Sequence, residues 1–176
     1  TGDYKAAFKS IERSRAKFLA EQLVGADTLV SISDLSKVQT SLSSDQAIII
    51  YANLEREKLI ELVITNDTIV GVEVPNSVIL STLYPEKEDA TLTLAVKSYR
   101  NSIKLLDGAE KMTEFGSAFF DYLIQPIKDH IQDKTVLVIV PDGILGYLPF
   151  EAFVDKNDQS LLEMYDISYV QSVTVW

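Results

Sequence analysis

The stretch Thr135-Val-Leu-Val-Ile-Val-Pro-Asp-Gly-Ile-Leu-Gly-Tyr-Leu-Pro-Phe-Glu-Ala-Phe153 constrains the fold of this chain more than any other. Its first half is a continuous apolar, β-branched run, the pattern of a strand buried on both faces of a sheet. Pro141-Asp142-Gly143 ends that strand with strong turn chemistry. Leu148, Pro149 and Phe150 follow, apolar residues suited to folding back over the strand end. Open α/β sheets place their sites where a central parallel strand breaks into such a loop. The segment therefore points to an enzyme-type fold, yet the usual enzyme residues are missing around it.

The bulk chemistry narrows the partners. The formal charge of −10 argues against a nucleic-acid backbone or an anionic membrane as the main partner, since both require clustered Lys and Arg, but it permits a basic peptide or protein. With no cysteine, the chain has no disulfide framework, no thiolate zinc site and no cysteine nucleophile of its own. No apolar run reaches bilayer-spanning length. Thr1-Gly-Asp-Tyr leads directly into a charged helical pattern rather than a signal peptide. The expectation is a cytoplasmic protein whose residues are cut from a longer polypeptide.

The spacing of Tyr4, Ala7, Phe8, Ile11, Phe18, Leu19 and Leu23 predicts a helix over 3–24, with Gly25 as its stop and Lys5, Glu12, Arg13 and Lys17 on other faces. Such a helix commonly packs on a helical repeat that precedes it, with Gly25-Ala-Asp as the turn out. Ser33-Asp34 before Leu35, Val38 and Leu42 marks a short capped helix. Three β-type runs follow, Ala47–Ala52, Lys58–Thr65 and Thr68–Val74. Asn66 and Asp67, both tolerant of left-handed backbone, join the last two as a hairpin. The stretch 75–84 suits a short helix. Leu92, Val96, Tyr99, Ile103 and Leu106 mark a long helix over about 87–106. After Asp107-Gly108, a helix carrying Phe115, Phe119, Tyr122 and Leu123 must kink or restart at Pro126 and deliver the chain to the strand at Val136. A polar loop over 155–160, a β-type run over 167–170 and strand-forming residues Val173–Trp176 complete the pattern.

Candidate chemistry is sparse. His130 is the sole histidine and sits among Lys128, Asp129 and Gln132, as expected of a solvated helix face; nothing converges on it as a catalytic pair would require. Asp155, Asn157 and Gln159 mimic the start of a calcium loop, but Ser160 stands where the glycine is needed and Asp166 where the glutamate is, so a surface loop is expected. Phosphate-binding glycine motifs and the HExxH zinc motif are absent, and no cofactor is implied. Phe115, Phe119, Tyr122 and Leu123 read as helix core. Asp142, with Gly143 beside it, lies at the carboxyl end of the buried strand. It either hydrogen-bonds its own turn or forms the acidic wall of a cleft that favours a basic side chain.

Val140-Pro-Asp-Gly-Ile-Leu-Gly-Tyr-Leu-Pro-Phe-Glu-Ala-Phe153 and Leu161-Leu-Glu-Met-Tyr-Asp-Ile-Ser-Tyr-Val-Gln-Ser172 resemble the central blocks of the CHAT domain, a family related to caspases and separases that often follows tetratricopeptide repeats. The upstream order is similar as well: Asp34–Leu42 as a helix, Ala47–Tyr51 as a strand, Leu59–Val74 as a hairpin, and 3–24 as the junction helix. The resemblance implies an α/β fold, a mixed sheet flanked by helices, with an incomplete caspase-like sheet. It divides the chain into 1–25, the end of a helical-repeat region, and 26–176, the amino-terminal portion of the domain. Family members are caspase-like cysteine peptidases whose His-Gly and Cys lie downstream of the strand resembling Ile167–Val170. No catalytic residue carries over, and His130 does not match the His-Gly position. The expected function is a non-catalytic scaffold and cleft wall, partnered by a protein or peptide substrate or regulator and open to edge-strand pairing near Trp176. A catalytically dead interaction module and an unrelated α/β domain with a closed sheet are the alternatives.

Overall fold

The computed structural model describes residues 3–23, 34–54, 57–105 and 108–175. Its centre is a five-stranded mixed sheet in the order β3-β2-β1-β4-β5, with β1 Gln46–Leu54, β2 Lys58–Ile64, β3 Ile69–Pro75, β4 Val136–Val140 and β5 Asp166–Tyr169. β1, β2 and β3 form an antiparallel meander, in which Tyr51 pairs with Glu61 and Leu62 with Gly71. β4 lies parallel to both β1 and β5, with Ile49 opposite Ile139 and Leu137 opposite Ile167. The sheet is not closed. Among the described residues, nothing pairs with the outer side of β5.

Period-two alternation sorts the strand residues into two cores. Ile48, Ile50, Leu62, Ile64, Val138 and Val140 face α1 (Tyr4–Leu23) and α2 (Leu35–Ser41), with Phe8 and Val38 packed onto them. Ala47, Ile49, Tyr51, Val63, Leu137 and Ile139 face the larger layer, built by α3 (Ser77–Leu83), α4 (Leu92–Leu105), α5 (Ala109–Leu123), α6 (Lys128–Ile131) and α7 (Leu161–Met164). With helices on both faces, the central strands are apolar on both sides. That is why the run 136–140 shows no alternation of its own.

The helical crossover from β3 to β4 follows the sequence with local differences. Asp34 caps α2, its carboxylate accepting the Ser36 amide at 3.1 Å. α4 begins at Leu92 rather than near 87, because the Thr91 hydroxyl accepts the Leu94 amide and the residues behind it, following Pro85, are held in turns. Pro126 falls in a 3-10 turn, Gln125–Ile127, that separates α5 from α6, as its missing amide requires. The 65–68 hairpin forms without left-handed backbone at Asn66 or Asp67. Thr65 supplies the turn instead: its hydroxyl accepts the Thr68 amide at 3.0 Å and donates to Asp67 at 2.7 Å. The Gln39 side-chain amide on α2 then binds the carbonyls of Thr65 and Thr68.

Three further expectations change. Phe18 is 59% exposed rather than part of the packed face of α1. Glu12, expected on a charged face, is fully buried. Val173–Val175 forms a 3-10 turn instead of a strand. Gly25 and the turn Gly25-Ala-Asp, together with Ser33, Leu106, Asp107 and Trp176, lie outside the described residues.

α1 approaches β3 closely over Gly71. A Cβ built there would lie 2.5 Å from the Tyr4 ring and 3.0 Å from Leu62. Gly71→Ala is therefore expected to cost about 1–3 kcal/mol through overpacking. In chemical denaturation, adding Tyr4→Ala should recover part of that loss, a coupling between the two sites that independent positions would not show.

Candidate functional site at the carboxyl ends of the central strands

β1, β4 and β5 run parallel, so their carboxyl ends emerge along one border of the sheet, and α1 reaches it through Glu12 and Arg15. Successive turns of the helix supply Phe8, Glu12 and Arg15, one face at i, i+4 and i+7. Phe8 packs into the core beneath. Arg15 donates to the Tyr51 carbonyl at 2.5 Å and, more weakly, to the Val140 carbonyl at 3.4 Å, so one guanidinium spans the ends of the two central strands. The planar five-donor fork of arginine suits this task, since it can serve two acceptors at once.

Asp142 completes the junction. Its Oδ2 accepts the Asn53 amide at 2.9 Å, which ties the loop after β4 to the last residues of β1. The carboxylate thus bonds the neighbouring strand rather than its own Pro-Asp-Gly turn. Its backbone carbonyl meanwhile accepts the Leu145 amide as the 3-10 turn Gly143–Tyr147 begins. Burial pulls the Arg15 guanidinium below its ordinary value, while the charges of Asp142 and Glu12 hold it in the cationic form. Gly143 sits at φ +50, the left-handed region that favours glycine, and a Cβ there would meet nothing within 4 Å. The backbone turn, not crowding, calls for glycine here.

Glu12 forms the other half of the border. Its Oε2 accepts hydrogen bonds from the Ser172 hydroxyl at 2.6 Å and from the Thr174 amide and hydroxyl, each at 2.9 Å. Its Oε1 is buried without a hydrogen-bond partner among the described residues. Glu12 and Arg15 together bind the segments leaving three parallel strands. Helical periodicity placed Glu12 on a charged face and gave Arg15 no role, so both were missed. The available signal was their i, i+3 spacing beside Phe8 and Ile11, on the stripe that must face the sheet.

Beyond Gly143 the chain folds back as expected. Leu148, Phe150 and Phe153 are buried, and Phe153 lies 5.7 Å from Phe119 and 4.9 Å from Phe150, ring centre to ring centre. Phe150 in turn packs at 5.4 Å on Tyr51, whose hydroxyl donates to the Leu123 carbonyl. Tyr99 of α4 donates to the Ala152 carbonyl. The four helix residues Phe115, Phe119, Tyr122 and Leu123 are all core. On β5 the Tyr169 hydroxyl donates to Glu151, and burial together with that carboxylate pushes its phenol up.

The remaining expected positions stay apart from this border. His130 is exposed on α6. The Asp155 carboxylate is engaged by its own loop, accepting the amides of Asn157 and Gln159 and the Asn157 side chain. Among the described residues no cluster of His, Cys, Asp or Glu is placed to hold a metal ion, and no helix is long and apolar enough to cross a membrane.

One buried acid has no such partners. Glu61, at the middle of β2, is fully buried, and neither carboxylate oxygen has a hydrogen-bond partner among the described residues. Burial pushes it up to about 9, so near neutral pH it is a neutral acid, paired across the sheet with Tyr51. A single glutamate inside the apolar run Leu59–Ile64 was the sequence signal for it.

The model of the CHAT domain family matches residues 113–175, a span that runs from α5 through the strand-end loop and β5 to the segment bound by Glu12. The resemblance read from the sequence is met over that stretch. No curated protein and no solved structure matches the chain.

Proposed function

We propose that this chain is the amino-terminal, non-catalytic portion of a CHAT-type, caspase-like cysteine peptidase, acting as scaffold and as one wall of the substrate cleft. The observation that carries this reading is the border where β4 ends. There Asp142 and Gly143 stand at the carboxyl end of a central parallel strand, on the stretch that matches the family model. The chain has no thiol to serve as nucleophile, and its lone histidine is exposed on α6. The reaction centre would therefore come from elsewhere in the polypeptide, and the open side of β5 leaves room for the strands that carry it. α1 would join this portion to preceding helical repeats, with α1 as one unit and the rest as the start of the peptidase domain.

In this reading Asp142 favours a basic residue of a bound peptide. The charge of Asp142 favours the cationic form of the neighbouring Arg15 guanidinium, which supports a negative potential at this point of the border. The test uses fluorogenic peptides with basic or neutral residues at the cut, given to the 176-residue chain and to the full polypeptide that contains it. The chain alone should cleave neither. In the full polypeptide, Asp142→Ala should lower kcat/KM for the basic peptide by about tenfold, the loss of one charge-assisted contact, and leave the neutral one nearly unchanged. Equal behaviour of both peptides would remove Asp142 from specificity. A full polypeptide that cuts nothing would leave an interaction module in place of a peptidase.

A further inference from the structure

A groove of about 430 Å³ runs between α4 and the loop that follows β4, lined by Lys97, Arg100, Asn101, Lys104, Tyr147 and Pro149, with Ile103 at its base. Its charge is opposite to that of the molecule. The whole chain carries 26 acidic residues against 16 basic ones, yet Lys97, Arg100 and Lys104 are the only charges of α4, and among the described residues no acid lines the groove. All three cations are exposed, and none forms an ion pair with a described residue. Arg100 lies over the ring of Tyr147 at 4.9 Å, and Tyr147 is 58% exposed. An exposed aromatic held under a guanidinium presents one apolar face and one cationic edge to the same ligand.

We infer that this groove docks an acidic, apolar-containing peptide segment of a partner protein in extended form. Lys97, Arg100 and Lys104 recur at i, i+3 and i+7, so they share one helix face and span about 10 Å. An extended peptide covers that distance in about three residues, so two carboxylates at alternate positions, about 7 Å apart, would lie within reach of this row of cations. The side chains between them would turn to Tyr147, Pro149 and Ile103. A long polyanion such as RNA fits less well, because beyond this short row it would meet a surface of net negative charge. The inference rests on charge and shape and does not depend on the peptidase reading.

Fluorescence anisotropy with a labelled peptide of alternating glutamate and leucine tests it, against a lysine-leucine peptide of equal length and a labelled oligouridine. The acidic peptide should bind saturably and weaken as salt is raised. Lys97→Gln, Arg100→Gln and Lys104→Gln combined should weaken it by on the order of tenfold or more, with the circular dichroism spectrum of the fold retained because all three residues are exposed. Tyr147→Ala should weaken it without altering the salt dependence. Absence of saturable binding, or binding untouched by the loss of the three charges, would overturn the proposal. Oligouridine that binds as tightly and responds to the same variants would overturn the assignment to a peptide.

Discussion

Urea unfolding followed across pH will show the folded state weakening steadily from about pH 4.5 to about pH 9, because the Glu61 carboxyl titrates over that interval only once the chain is open. Below the lower value Glu61 is protonated in both states and contributes no difference. Above it the unfolded chain gives up the proton while the buried carboxyl, without partners for its oxygens, retains it, so unfolding gains free energy with each unit of pH. At about 1.4 kcal/mol per unit, the loss is ~3 kcal/mol by neutral pH, a large fraction of the stability of an ordinary domain. Above the folded value the slope ends. Glu61→Gln removes the ionisation and keeps the shape, so its stability should be flat over the same interval. It should exceed the parent by roughly 3 kcal/mol near neutrality and approach it in mild acid. Parallel curves for parent and variant would show that Glu61 ionises normally in the folded protein.

The second large effect is expected at Phe153. Its ring stacks on Phe119 and packs against Phe150 and Tyr99, so it fastens the strand-end loop to α4 and α5. The side chain is fully buried. Phe153→Ala should cost about 3–5 kcal/mol in chemical denaturation, the usual range for emptying such a site. Phe153→Leu should restore a large part of it. A cost under ~1 kcal/mol would mean that the loop is held by its hydrogen bonds rather than by this packing.

The sequence was most legible where one physical signal acted alone. The run Val136–Val140 could only be a doubly covered strand, and Pro126 had to interrupt the helix before it. Leu148 and Phe150 return to the core as apolar residues after a turn must. Legibility fell where a side chain could serve two purposes. A glutamate or arginine on an amphipathic helix usually faces water, and only the arrival of three strand ends beneath α1 gives Glu12 and Arg15 their partners. The same holds for Asp142, whose local alternative was its own turn and whose actual donor, Asn53, lies 89 positions away in the chain. At Asn66-Asp67 the hairpin was readable but its geometry was not, because the flanking threonine outcompeted the left-handed turn. The groove was hidden for a related reason: three cations on α4 look like an ordinary wet face until Tyr147 is brought beside them.

The clasp between Glu12 and the 172–174 turn joins positions 160 residues apart. Under tension applied across those two segments, as between a tethered bead and a surface, the load would fall first on this handful of hydrogen bonds and not on the strand ladders. The molecule would therefore open at its hem before its fabric tears, leaving the β-meander intact while the border around Arg15 comes apart.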